Sequence, residues 1–142
     1  MRKALLLLII FCSSFRLYGE KIYEAFSPSG DIKIEVTISD GIYYDMSCKG
    51  HLLLEQGNLQ MKVNGQLLGV HPIVKKVNEM TVKKSFKPVV PFKFSEIINH
   101  YNQLQLDFRD NYSVVFRVYD DGVAYRFITN KKGMIETEDE LF

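Results

Sequence analysis

Asp31 to Ser39 reads DIKIEVTIS, with Ile32, Ile34, Val36 and Ile38 on one side of an extended chain and Lys33, Glu35, Thr37 and Ser39 on the other. This two-residue period is the signature of a half-buried strand, and it recurs along most of the chain. No apolar stripe of helix length competes with it. The expected fold class is therefore all-β, an antiparallel β-sandwich. The run SEIINHY, residues 95–101, could form a helical turn, and residues 71–92 look irregular because Pro72, Pro88 and Pro91 should break any long element. The acidic end, ETEDELF, reads as loop-like or incomplete.

Register follows from keeping apolar faces together. A two-residue turn at Asp40 and Gly41 would set Val36 opposite Asp45. A three-residue loop instead sets Ile38, Val36, Ile34 and Ile32 opposite Ile42, Tyr44, Met46 and Cys48, and is favoured because a slip of one residue turns the apolar set to water. Asn64 and Gly65, between LQMKV and QLLG, fit a tight hairpin with positive backbone angles. In NQLQLDF, a three-residue loop through Arg109, Asp110 and Asn111 sets Leu104, Leu106 and Phe108 opposite Phe116, Val114 and Tyr112.

The stretch VVFRVYDDGVAYRF, Val114 to Phe127, is then a hairpin with one arginine in each arm. A two-residue turn at Asp121 and Gly122 keeps Val123, Tyr125 and Phe127 on the core side and leaves Arg117 and Arg126 directly opposite each other on the reverse. Like charges so paired cost roughly 0.2–1 kcal/mol. A three-residue loop would bury Arg126 beside Phe116, which costs more for a charge without a partner. The outward pair is either a solvated face or, with Tyr119, a surface that meets carboxylates from elsewhere.

At 142 residues the chain is long enough for one domain, and the opening MRK, ALLLLIIFC and SSFRLYG has the layout of a secretory signal peptide over residues 1–19. Cleavage after Ser14 or Gly19 would leave a small residue at the cut, and Gly19 is preferred; Phe11 argues against lipidation at Cys12. The expected location is secreted, periplasmic or cell-surface. Loss of residues 1–19 removes Arg2, Lys3 and Arg16 and no acid, leaving 15 Lys and Arg against 17 Asp and Glu, a charge of −2. That balance argues against nucleic acid, and against a membrane surface after signal cleavage. Cys48 then stands alone, read as a small core hydrophobe beside Met46.

With its fold and charge placed, the chain shows a resemblance. NHYNQLQLDF followed by VVFRVYDDGVAYRF, with SPSGDIKIEV before and FKPV between, is similar to the amino-terminal domain of glycoside hydrolase family 97, secreted α-glucosidases and α-galactosidases of Bacteroides-like bacteria. The resemblance implies a sandwich related to galactose mutarotase, incomplete here, packed against a β/α barrel that carries the catalytic carboxylates and a calcium ion. It implies that the barrel, and the glutamate lent to calcium, correspond to sequence beyond Phe142, so that this chain has no cofactor of its own and is a truncated domain, inactive alone. Where the family has an arginine before NHYN this chain has Ile98; where it has a glutamate after, Gln103, which falls opposite Arg117. Arg117, Arg126, Tyr119, Asn99, Tyr101 and Asn102 are the candidate binding residues.

Catalysis by these residues has little support. His51, His71 and His100 are scattered without metal-ligand spacing. Glycoside hydrolysis needs two carboxyl groups facing across a bond, whereas adjacent Asp120 and Asp121 are turn formers. Asn111-Tyr112-Ser113 matches a glycosylation acceptor, a pattern common by chance. Two functions remain: an accessory domain whose partner is the barrel of the same polypeptide, or a stand-alone module binding oligosaccharide through Tyr43, Tyr101 or Tyr119. Unpaired sheet edges predict poor solubility.

Overall fold

Val36 and Ile34 have no exposed surface, and neither do Phe116 and Val114, because the alternations that carry them face each other across one core. The computed structural model describes residues 19–87, 96–130 and 132–141. Residues 1–18 of the expected signal peptide, the Pro88 and Pro91 positions and the second half of the FKPV motif lie outside the described residues.

Within them the chain forms eleven strands: β1 (Lys21–Phe26), β2 (Ile32–Ile38), β3 (Ile42–Cys48), β4 (His51–Asn58), β5 (Gln60–Val63), β6 (Gln66–Leu68), β7 (Val74–Phe86), β8 (Ile97–Phe108), β9 (Tyr112–Tyr119), β10 (Gly122–Thr129) and β11 (Thr137–Leu141). They make two four-stranded antiparallel sheets, β1-β2-β3-β4 and β10-β9-β8-β7, and a three-stranded one, β11-β5-β6. The fold is the antiparallel sandwich expected, and neither four-stranded sheet closes on itself.

Three registers agree with the hydrophobic pattern. Ile38, Val36, Ile34 and Ile32 pair with Ile42, Tyr44, Met46 and Cys48. Leu104 and Leu106 pair with Phe116 and Val114, and Asn64 and Gly65 turn with φ of 49° and 72°. Cys48 is a free, half-buried thiol packed against the core.

Four expectations are corrected. The β9–β10 turn is Asp120-Asp121, so Arg117 lies opposite Ala124 and Arg126 opposite Val115. Shifting the turn by one position moves the pairing by two residues, which preserves the faces but makes the arginines diagonal neighbours. Residues 71–92 are not irregular throughout: Val74–Phe86, between Pro72 and Pro88, is a 13-residue strand. It is an edge strand, mostly exposed, so it needs few apolar residues and shows no clear alternation. SEIINHY holds no helical turn within its described residues; Ile97 begins β8, paired with Phe86. The acidic tail forms β11 alongside β5. Asn64 positions its approach, donating from Nδ2 to the Met134 carbonyl at 3.3 Å and accepting from Glu136 N at 2.7 Å.

Two polar contacts tie the sheets together at one end. Asp120 Oδ1 accepts from Ser29 N at 2.8 Å, holding its carboxyl below the usual range, and Asn102 Nδ2 donates to the Phe26 carbonyl at 2.8 Å.

Candidate docking surface

The outward faces of β7 to β10 form one continuous surface. Alternation places Lys76, Asn78, Met80, Val82 and Lys84 of β7 on it, with Asn99, Tyr101, Gln103, Gln105 and Asp107 of β8. β9 contributes Ser113, Val115, Arg117 and Tyr119, and β10 contributes Ala124 and Arg126.

Arg117 lies directly opposite Gln103, and its Nε donates to Gln103 Oε1 at 3.1 Å. Its guanidinium sits 4.8 Å from the Tyr101 ring centre, a favourable stacking of cation on ring face. Tyr101 in turn packs on Tyr119 with ring centres 5.0 Å apart, and is only 6% exposed although it faces outward. No carboxylate of the described residues lies within ion-pair distance of Arg117 or Arg126. The charge on Arg117 is thus met by an amide dipole and a ring, neither of which neutralises it.

The other candidates fall differently. Arg126 shares the face but is exposed. Asn99 is half-buried opposite Lys84, on the part of the β7–β8 ribbon that runs past the end of β9. Asn102 does not join the surface: it faces the core side, accepting from Thr81 Oγ1 at 2.7 Å and reaching Phe26 of the other sheet. Tyr43, on the first sheet, is half-buried with its hydroxyl donating to Asp40 Oδ1 at 3.3 Å.

Sequence reasoning missed a hydrogen-bonded polar cluster on this face. Asp107 accepts from Gln105 Nε2 and Ser113 Oγ, both at 2.7 Å, and from Asn78 Nδ2 at 3.1 Å. Gln105 first, then Ser113 and Asn78, hold its carboxyl below the ordinary carboxylate value, because each donor favours the charged form. The signal lay in the outward polar positions of three neighbouring strands, but finding it required the β7 register. Among the described residues no three His, Cys, Asp or Glu side chains converge to hold a metal.

Fold and surface together define an open antiparallel sandwich domain whose second sheet presents two arginines with no carboxylate partner among the described residues. The model of the glycosyl-hydrolase 97 N-terminal family matches residues 26–142, and the chain belongs to that family. A retaining alpha-galactosidase of Bacteroides thetaiotaomicron is 35% identical over 136 residues, covering 93% of this chain and 20% of the relative. Among solved structures, a glycoside hydrolase family 97 enzyme from Pseudoalteromonas sp. strain K8, in complex with panose, superposes with a TM-score of 0.72 at 20% identity. It is matched over 84% of this chain and 20% of its own. A beta-arabinopyranosidase gives 0.74 at 19% identity, over 83% and 20%. The solved structures bear on the fold alone, and the chain spans about a fifth of the length of each of these proteins.

Proposed function

We propose that this chain serves as the amino-terminal β-sandwich of a secreted sugar-cleaving enzyme, bracing a β/α barrel of the same polypeptide and walling its cleft. Family membership supplies the class. The observation that carries the bracing role is the outer face of the second sheet, whose arginines find no carboxylate among the described residues. A wholly solvated face would account for Arg126, but not for an arginine stacked on a nearly buried tyrosine. In this reading the catalytic carboxylates belong to the barrel, the calcium ligands correspond to sequence beyond Phe142, and the chain alone cleaves nothing.

A chimera tests it. The matched fifth of the Bacteroides alpha-galactosidase is replaced by this chain and the product assayed on an aryl α-galactoside, beside a variant lacking that fifth. The chimera is expected to be soluble and active and the deletion insoluble or inactive; an active deletion variant would remove the bracing role. Calorimetry of the chain with maltooligosaccharides is expected to give no heat. Saturable binding would instead favour a carbohydrate-binding module.

A further inference from the structure

We propose that Arg117 is a preorganised receptor for a single carboxylate, the side chain of an aspartate or glutamate on the polypeptide surface that covers the second sheet. The identity of that surface rests on the bracing role; the receptor rests on local geometry.

Gln103 fixes the guanidinium from one side. Its Oε1 accepts from Arg117 Nε, while its Nε2 lies 3.5 Å from Met80 Sδ, so the amide is oriented at both ends. Tyr101 fixes the plane from beneath, and Tyr119 supports Tyr101. The two terminal amino groups of Arg117 make no hydrogen bond to the described residues. A guanidinium held by Nε and by its face offers those remaining donors as a ready fork, the geometry a carboxylate matches with two parallel bonds. Arg126 has no such support. It supplies charge but no fixed fork.

Charge around the receptor selects the same ligand. The outward face of β7 to β10 carries Lys76, Lys84, Arg117 and Arg126 against one carboxylate, Asp107, which lies opposite Lys76 and so leaves the arginines without a counter-charge among the described residues. A free sugar acid is disfavoured. The neighbouring cleft of about 400 Å3, which Gln103 and Met80 help to line, also holds Glu24 and Glu79, and Arg117 and Tyr119 are not part of its wall. An anionic sugar entering there would meet Glu79 and a Glu24 already paired with Lys33, and no cation of the lining, whereas a polypeptide side chain can reach Arg117 across the open sheet.

The test is an NMR titration of the full chain, following the arginine Nε–Hε signals with sodium glutarate, sodium galacturonate and sodium chloride at matched ionic strength. Glutarate is expected to shift Arg117 saturably, with an affinity about tenfold above that at Arg109, an exposed loop arginine that serves as internal control. In Arg117→Lys, which keeps the charge and loses the fork, the glutarate shift should be lost as read from the Gln103 side-chain amide, which in the parent touches Arg117. Gln103→Glu should also lose it, by placing a carboxylate in the site. Equal responses at Arg117 and Arg109, or a Gln103→Glu variant that binds as the parent does, would overturn the receptor. Galacturonate binding about tenfold tighter than glutarate would overturn the polypeptide source. Because the titration needs no barrel, its failure is separable from failure of the chimera.

Discussion

On the outside of the first sheet, Lys33 Nζ stands 2.6 Å from Glu24 and 2.9 Å from Glu35. On the outside of the second, Arg117 has an amide oxygen at 3.1 Å and an aromatic ring. The hydrogen bond to Glu24, then that to Glu35, raises the Lys33 pKa, and Lys33 lowers that of Glu35, so the cation of this trio is fully met by carboxylates. The difference separates a surface finished for water from one whose charge is left for something else to meet. It also locates the asymmetry on the outer faces, since both sheets bury the same kind of aliphatic and aromatic residues between them.

A shared core can be broken from either side, and that gives the largest expected effects. Phe116 is fully buried among Tyr44 and Tyr125, with ring centres 6.2 and 6.4 Å away. Phe116→Ala should cost about 3–5 kcal/mol and Ile34→Ala, its counterpart in the first sheet, about 2–5 kcal/mol in urea melts. If one substitution were severe and the other nearly silent, the two sheets would not be one cooperative unit.

Next in size is the Asp107 cluster, which asks how much order the second sheet's outer face owns without a partner. Asp107→Ala strands the Ser113 hydroxyl, nearly buried, and two amides, and should cost about 1–3 kcal/mol. Because the folded carboxyl titrates below its unfolded value, its contribution is present above that value and lost as pH falls through the lower, folded one. Stability should therefore decline below about pH 4, and Asp107→Asn should flatten that decline. An unchanged acid limb in the variant would show that the cluster contributes no linkage.

How much of this was legible beforehand divides along the same line. β2, β3, β8 and β9 could be paired residue by residue because each has one face in the core, and one-sided burial writes a period of two into the sequence. The Gln103–Arg117 pairing came from that logic alone. β7 and β11 were not legible. β7 is an exposed edge whose valines, Val74, Val77 and Val82, follow no single face, and it needs only an already formed β8 to pair with. β11 is held to β5 by backbone pairing and by Asn64, neither of which demands an apolar pattern. The β9–β10 turn failed for a different reason: a shift of two in pairing leaves every face unchanged, so patterning could not see it. The site was legible as a set of outward cations, while its aromatic support depended on Tyr101 lying under both Arg117 and Tyr119, which no periodicity reports.

The smallest effect expected is also the sharpest comparison of the two faces, because it turns on sign. Lys33→Met removes an exposed ion-pair cluster and should cost about 0–1 kcal/mol at low salt, shrinking in 1 M NaCl as the attraction it removes is screened. Arg117→Met removes a stacking contact of about 0.5–1 kcal/mol and, at the same time, relieves repulsion from Arg126. Salt screens that repulsion in the parent, so the relief matters less and the cost of Arg117→Met should grow as NaCl is added. Urea melts of both variants across a salt series read the two slopes directly. Opposite slopes mean that the first sheet's outer charges attract and the second's repel; parallel slopes would mean that Arg117 already has its counter-charge within the domain, and the reason to look for a carboxylate outside it would disappear.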